Sequence, residues 1–128
     1  IYYAVVENKL NSNGEFIDYL SKDKKRNVSY VSNKNTGKKA ILDYKLIDYK
    51  NNFSLVEIHL KTGRSHQIRV QFSSRGYPLV ADAKYNPNSD KKSLVSLFAG
   101  ELSFYHPISN DKLSFKLELP KRYPFNLF

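Results

Sequence analysis

The chain has 128 residues, 41% hydrophobic and 14% aromatic, a single domain's length with apolar mass enough for a core. With 21 Lys and Arg against 12 Asp and Glu it carries a net charge of +9, which favours a polyanionic partner, nucleic acid ahead of an anionic membrane. Cysteine is absent, excluding a disulfide scaffold or thiolate metal site, and no apolar run of about 18 residues offers a membrane span or signal segment.

Ile1 to Val6 is continuously apolar and β-rich, as a strand buried on both faces would be. Asn11-Ser12-Asn13-Gly14 breaks that pattern. Glu15 to Leu20 then reads as a short helical turn with Phe16, Ile17 and Leu20 inward. Ser21 to Asn27, carrying Lys22, Lys24, Lys25 and Arg26, reads as an exposed connection. Val28 to Ser32 suggests a short strand. A polar turn follows at 33–39, with Gly37 available for positive φ.

Ala40 to Tyr49 and Phe53 to Leu60 are strand-like runs separated by Lys50-Asn51-Asn52, the pattern of a β-hairpin. Val56, Ile58 and Leu60 share one face of the second run, and Glu57 and His59 the other. Ser65 to Arg75 reads as a helix closed by Gly76 at C′. Ser93 to Ala99 and Glu101 to Tyr105 are strand-like around Gly100, and His106 to Asp111 turns. Leu113, Phe115, Leu117 and Leu119 alternate with Ser114, Lys116 and Glu118, the mark of a half-buried strand. Pro120 to Phe128 is an aromatic tail expected to pack on the body. The fold class is α+β: a mixed, mainly antiparallel sheet with one or two short helices.

At about 100° per residue, Ile68 and Phe72 form one apolar stripe and Val70 lies well away from it. Arg69 falls between these directions, which predicts a partly buried guanidinium needing an anionic partner. Glu57 or Asp82 would make it a structural ion pair. Thr62 or Ser65 is placed to cap the helix start, and Arg64 in the same turn suits a phosphate or simply faces solvent.

The string Leu60-Lys61-Thr62-Gly63-Arg64-Ser65-His66-Gln67-Ile68-Arg69 resembles the T-G-R-x-H-Q-[IL]-R signature of the RluA-like pseudouridine synthases. Tyr2-Tyr3-Ala4-Val5-Val6 looks like that family's Y-x-A-x-V strand. Gly37-Lys38-Lys39-Ala40 resembles its G-K-x-A segment. Gly76 to Tyr85 resembles G-x-P-[IL]-x-G-D-x-x-Y, with Ala81 where glycine is usual. Leu102-Ser103-Phe104-Tyr105-His106-Pro107 resembles L-x-F-x-H-P, preceded by Phe98 where many members have histidine.

The resemblance implies isomerisation of uridine in ribosomal or transfer RNA, with no metal or organic cofactor. It matches Arg69 to the arginine that holds the nucleophilic aspartate ionised, and Tyr2 to the tyrosine that lies against the base. Thr62, Arg64, His66, Gln67, Lys38 and Lys84 are the expected RNA contacts. The family's nucleophile lies in an upstream H-R-L-D segment, and none of Asp18, Asp23, Asp43, Asp48, Asp82, Asp90 or Asp111 has an R-L-D context. Residues 1–128 are therefore expected to be the C-terminal portion of a pseudouridine synthase catalytic domain, cytoplasmic and inactive alone. A strand near Tyr2 should then have an unpaired edge or an exposed apolar face, covered by another chain through strand pairing or swapping.

Rival readings are weaker. His59, His66 and His106 lack metal-ligand spacing, and no Gly-x-Ser-x-Gly elbow marks a hydrolase. The serious alternative is a non-catalytic basic RNA-binding module, with Lys22, Lys24, Lys25, Lys34, Lys38, Lys39, Lys91 and Lys92 supplying the surface.

Overall fold

Alternation of apolar and polar side chains decides most of the architecture. A computed structural model of the chain describes residues 1–89, 94–105, 108–109, 112–116 and 118–128. Its strands are β1 (Tyr2–Glu7), β2 (Asn13–Asp23), β3 (Val28–Val31), β4 (Lys38–Lys50), β5 (Phe53–Leu60), β6 (Leu97–Ala99), β7 (Glu101–Tyr105) and β8 (Lys112–Lys116). One α-helix, α1 (Gln67–Ser73), follows β5, and a 3₁₀ turn, η1 (Phe125–Leu127), ends the chain. The first six strands form one sheet in the order β3-β2-β4-β5-β1-β6, with every pairing antiparallel, and β7-β8 is a separate hairpin.

The predicted hairpin is present. Asn51 and Asn52 connect β4 to β5, both at positive φ (54° and 63°), the two-residue turn whose twist suits paired strands. The helical turn expected at 15–20 is instead the middle of β2. Phe16 and Leu20 lie i,i+4 apart, which fits a helix, yet they also alternate with Ile17 and Tyr19. Pairing of Asn13–Leu20 with Lys45–Lys38 settles the choice. Ile17 consequently points outward, 48% exposed, rather than into the core. The strand runs on to Asp23, so the predicted connection from Ser21 shrinks to a turn at 24–27.

Gly37 has ordinary negative φ; Gly76 is the glycine with positive φ among the described residues. A Cβ at Gly37 would meet the backbone of Tyr19 at 2.9 Å and Leu20 at 3.0 Å. Close approach, not backbone handedness, requires glycine there.

The helix face of the sheet buries Ala4, Val6, Phe16, Leu42, Tyr44, Val56 and Ile58 against Ile68 and Phe72. Phe72 meets the Phe16 ring edge-on at 4.9 Å and that of Tyr44 at 5.8 Å. On the opposite face Val5, Leu55 and Val80 are covered by Phe125, so the aromatic tail packs as expected. Phe98, paired in register with Tyr3, joins this second layer and stacks on that ring at 6.3 Å. An apolar ring there extends an aromatic cluster where a histidine would add a polar group.

Strand β1 is itself paired on both sides, to β5 and to β6, so the open edge expected near Tyr2 falls on its neighbour β6. Among the described residues the sheet ends at β3 and β6. Strand β6 is shorter than the predicted 93–99 run, and 90–93 lie outside the described residues. So do His106-Pro107, the end of the turn at 110–111, and Leu117.

Candidate functional site

Helix α1 is shorter than the predicted 65–75 span. His66 precedes it in the left-handed region (φ 52°, ψ 25°), and no side chain caps it. Neither Thr62 nor Ser65 is the cap. At the other end the Gly76 N–H bonds Ser73 O and the Tyr77 N–H bonds Phe72 O, the paired closure of a Schellman motif with Gly76 at C′. Gln71 is fully buried. Its Nε2 donates to Phe16 O (3.3 Å), Ala40 O (3.2 Å) and Asp18 Oδ2 (2.9 Å), while its Oε1 meets no donor.

Arg69 has an acidic partner within the chain. Its Nε and Nη2 donate to Asp82 Oδ2 at 2.9 Å and Oδ1 at 2.7 Å, a bidentate fork onto a carboxylate that is itself fully buried. The predicted need for an anionic partner is met within the chain, and of the two structural partners considered, Asp82 is the one used. Asp82 also accepts the Lys84 and Tyr85 backbone N–H groups at 3.1 and 3.3 Å, so its segment wraps the charge. Arg69 retains 19% side-chain exposure and lies over the Tyr85 ring, 5.1 Å from its centroid. The bond to Asp82 raises its pKa above the ordinary guanidinium value against the cost of burial.

Tyr85 is the hub of the surrounding network. Its hydroxyl accepts the Ser29 N–H at 2.8 Å and meets Nδ1 of His66 at 2.6 Å. With one lone pair engaged by Ser29, the hydroxyl proton fits Nδ1, leaving a neutral imidazole with its hydrogen on Nε2. Burial, followed by the nearby charges of Arg69 and Lys84, pushes the His66 pKa below its usual value in the same sense. Burial likewise raises the Tyr85 hydroxyl, outweighing the Ser29 bond. Lys84 is exposed and donates to Asn27 O at 2.9 Å. The sequence signal for Tyr85 lay in its place three residues after Asp82, but its bridging role depends on Ser29, 56 positions away.

The turn before α1 is held internally. Gln67 is 3% exposed, and its Oε1 accepts from Thr62 Oγ1 and the Arg64 N–H, each at 2.9 Å, while Nε2 donates to Ile41 O. Gln67, offered by the sequence as an RNA contact, has its amide engaged within the loop that it supports. Thr62 is partly buried, its hydroxyl also accepting the Ile41 N–H at 2.9 Å. Arg64 is exposed, tethered by Nε to Lys39 O at 2.9 Å. With Lys22, Lys24 and Lys38 it lines a cleft.

Tyr2 belongs to the helix-side layer, packed at the rim of the cluster that holds Ile68 and Phe72. The structure thus brings Arg69, His66, Asp82, Tyr85 and Lys84 together and groups Thr62, Arg64 and Gln67 beside them. Tyr2 shares their side of the sheet through the core. His59 lies on the other face, 3.2 Å from Glu57. Among the described residues no three His, Asp or Glu side chains converge as metal ligands, and no helix is long and apolar enough to cross a membrane.

A family model described as RNA pseudouridylate synthase matches residues 1–74. An uncharacterized RNA pseudouridine synthase YlyB of Bacillus subtilis is 35% identical over 125 residues, covering 94% of this chain and 40% of the relative. Ribosomal large subunit pseudouridine synthase D of Borreliella burgdorferi is 33% identical over 129 residues, covering 96% and 38%. The chain thus spans well under half the length of these relatives. Among solved structures, human RNA pseudouridylate synthase domain containing 1 superposes with a TM-score of 0.79 at 19% identity, over 91% of this chain and 53% of that one. That likeness bears on the fold.

Proposed function

The chain belongs to the RNA pseudouridylate synthase family, in its RluA-like branch, and from that premise we propose that it forms the base-facing half of a uridine isomerase. The substrate is uridine in ribosomal or transfer RNA, and the place of action is the cytoplasm. The nucleophilic carboxylate comes from a segment outside these residues, so residues 1–128 alone do not turn over.

The observation that carries this reading is the Arg69 fork. Nε and Nη2 are fixed on buried Asp82, which immobilises the guanidinium plane and leaves its remaining N–H donors for a second carboxylate. An arginine so placed keeps an incoming aspartate ionised and oriented. Tyr2 supplies an aromatic surface for the extruded base. In the reaction the N1–C1′ bond breaks, the base turns, and a C5–C1′ bond forms. N1 gains a proton while the C5 proton leaves to solvent, so no redox partner is needed.

Release of tritium from RNA labelled at uridine C5 measures this reaction in the protein that contains the chain. Arg69→Ala should cut release by about a hundredfold or more while RNA binding persists. Arg69→Lys, which preserves the charge beside Asp82, should be almost equally inactive because the fork is lost. Wild-type release from Arg69→Lys would refute the assigned role. A second reading, a non-catalytic RNA-binding module, is favoured by the same ion pair, since Arg69 is already matched. It requires tight RNA binding with no release from the unaltered protein.

A further inference from the structure

Some of the described cations are matched by acids and others, Lys9, Lys25, Lys34 and Lys121 among them, are not. Lys61 pairs with Glu15 and Asp43, Arg75 with Asp18, Arg69 with Asp82, Lys50 with Asp48 and Arg26 with Asp23. Lys22, Lys24, Lys38 and Arg64 have no acidic partner among the described residues, and these four line a single cleft of about 600 Å³ at the β3 end of the sheet. No Asp or Glu lines it. They come from β2 and its turn, the start of β4, and the loop before α1, so the fold itself gathers them.

We propose that this cleft is a track for the phosphodiester backbone of a single-stranded RNA segment flanking the target uridine. The inference rests on the isomerase reading and locates the flanking strand, which that reading leaves open. Arg64 supports it through its tether: Nε is held by Lys39 O and the backbone N–H by Gln67, so the Nη groups are presented as a fork to a phosphate. Tyr30, on the cleft wall and 50% exposed, offers a ring on which a base can stack. Uncompensated charge spread along a groove, with one aromatic platform, matches a nucleic-acid strand better than a lone anion.

The cleft also adjoins the Arg69 network. Ser29 lines it, its Oγ donates at 2.9 Å to the backbone oxygen of Ser65, another lining residue, and its N–H bonds the Tyr85 hydroxyl. Tyr85 in turn touches His66 and underlies Arg69. The cleft wall is thereby joined, through Ser29 and Tyr85, to the guanidinium that organises the base site.

Fluorescence anisotropy with labelled polyuridine, titrated over a range of salt, tests the assignment on the protein containing the chain. The Lys22→Ala/Lys24→Ala double variant should bind about tenfold more weakly at low salt, with a log K–log salt slope shallower by about 1.4, or about 0.7 per lost phosphate contact. Tyr30→Ser should lose about fivefold without changing the slope, since stacking carries no counterion release. Lys9→Ala/Lys121→Ala, outside the cleft, should match wild type. All three changes lie on exposed side chains, so unfolding temperature should be preserved and serves as the check. Wild-type affinity and slope in the double variant, with tritium release intact, would overturn the cleft and leave the isomerase reading standing. Equal competition by polyglutamate would also overturn it, by showing a general anion groove. Failure of the unaltered protein to bind polyuridine and to release tritium would instead bring down both.

Discussion

The two flanks of the Thr62–Arg69 segment place positive charge in opposite circumstances. On the α1 side Arg69 and Arg75 are drawn into the fold, each forked onto a carboxylate, with Asp82 fully buried and Asp18 mostly so. Each guanidinium also lies over a ring, Arg75 over Phe16 at 4.2 Å and Arg69 over Tyr85 at 5.1 Å. On the β3 side Lys22, Lys24, Lys38 and Arg64 stand exposed around a cleft without acids. A matched, desolvated cation is fixed in place and sets geometry. An unmatched, hydrated one is free to neutralise something that arrives. Net charge alone would credit both sets equally to RNA binding; the proposed RNA track draws only on the second.

The contrast breaks most sharply on stability. Arg69→Ala strands the Asp82 carboxylate in the interior and should cost about 3 kcal/mol, the low end for a broken buried pair because Arg69 keeps some exposure. Lys24→Ala should stay within about 0.5 kcal/mol of wild type. Urea unfolding of both variants measures the difference, and equal midpoints would erase the distinction.

A smaller effect sharpens the α1 side. Ala81 is held at φ 64°, in the left-handed region, beside the Asp82 that anchors Arg69. Glycine is the family's usual residue there, and the geometry explains why. Ala81→Gly should raise stability by about 1 kcal/mol, seen as a higher unfolding temperature. A lower one would mean that the partly buried methyl, packed near Val80 and Phe125, outweighs the backbone strain.

The smallest expected effect is a dependence on pH. His66 has a folded pKa below its unfolded value of 6.5, so between those two values the unfolded chain binds the extra proton. Stability contributed by neutral His66 is complete above pH 6.5 and declines as pH falls from there through the folded pKa. His66→Gln should flatten that acid limb in denaturation curves recorded at successive pH. An unchanged limb would assign it to other groups.

How far the sequence spoke depended on the range of each interaction. The β4–β5 hairpin was legible because Asn51-Asn52 and the alternation of Val56, Ile58 and Leu60 are local signals. Strand β2 was not, since Phe16 and Leu20 satisfy a helical spacing as well as an extended one, and only β4 decides between them. Arg69 was read as a buried cation, with Asp82 one of two candidate partners. The choice required the loop after Gly76 to fold back over α1. The sequence offers Gln67 only as an RNA contact, because its partners Thr62, Arg64 and Ile41 converge on it only in three dimensions. The lysines of the cleft were visible one by one, but not that they share a wall.

The interior amide at position 71 imposes a rule on how this chain can drift. Around its nitrogen stand two carbonyls and an aspartate, all of them electron-rich. Glutamate has the same shape and lies a single base change away in the genetic code, yet it would set an anion against that ring of acceptors. Slow loss of ammonia from the side chain would do the same in an ageing molecule. This residue is thus a point where substitution and chemical damage converge on one lesion, at the seam between α1 and the sheet.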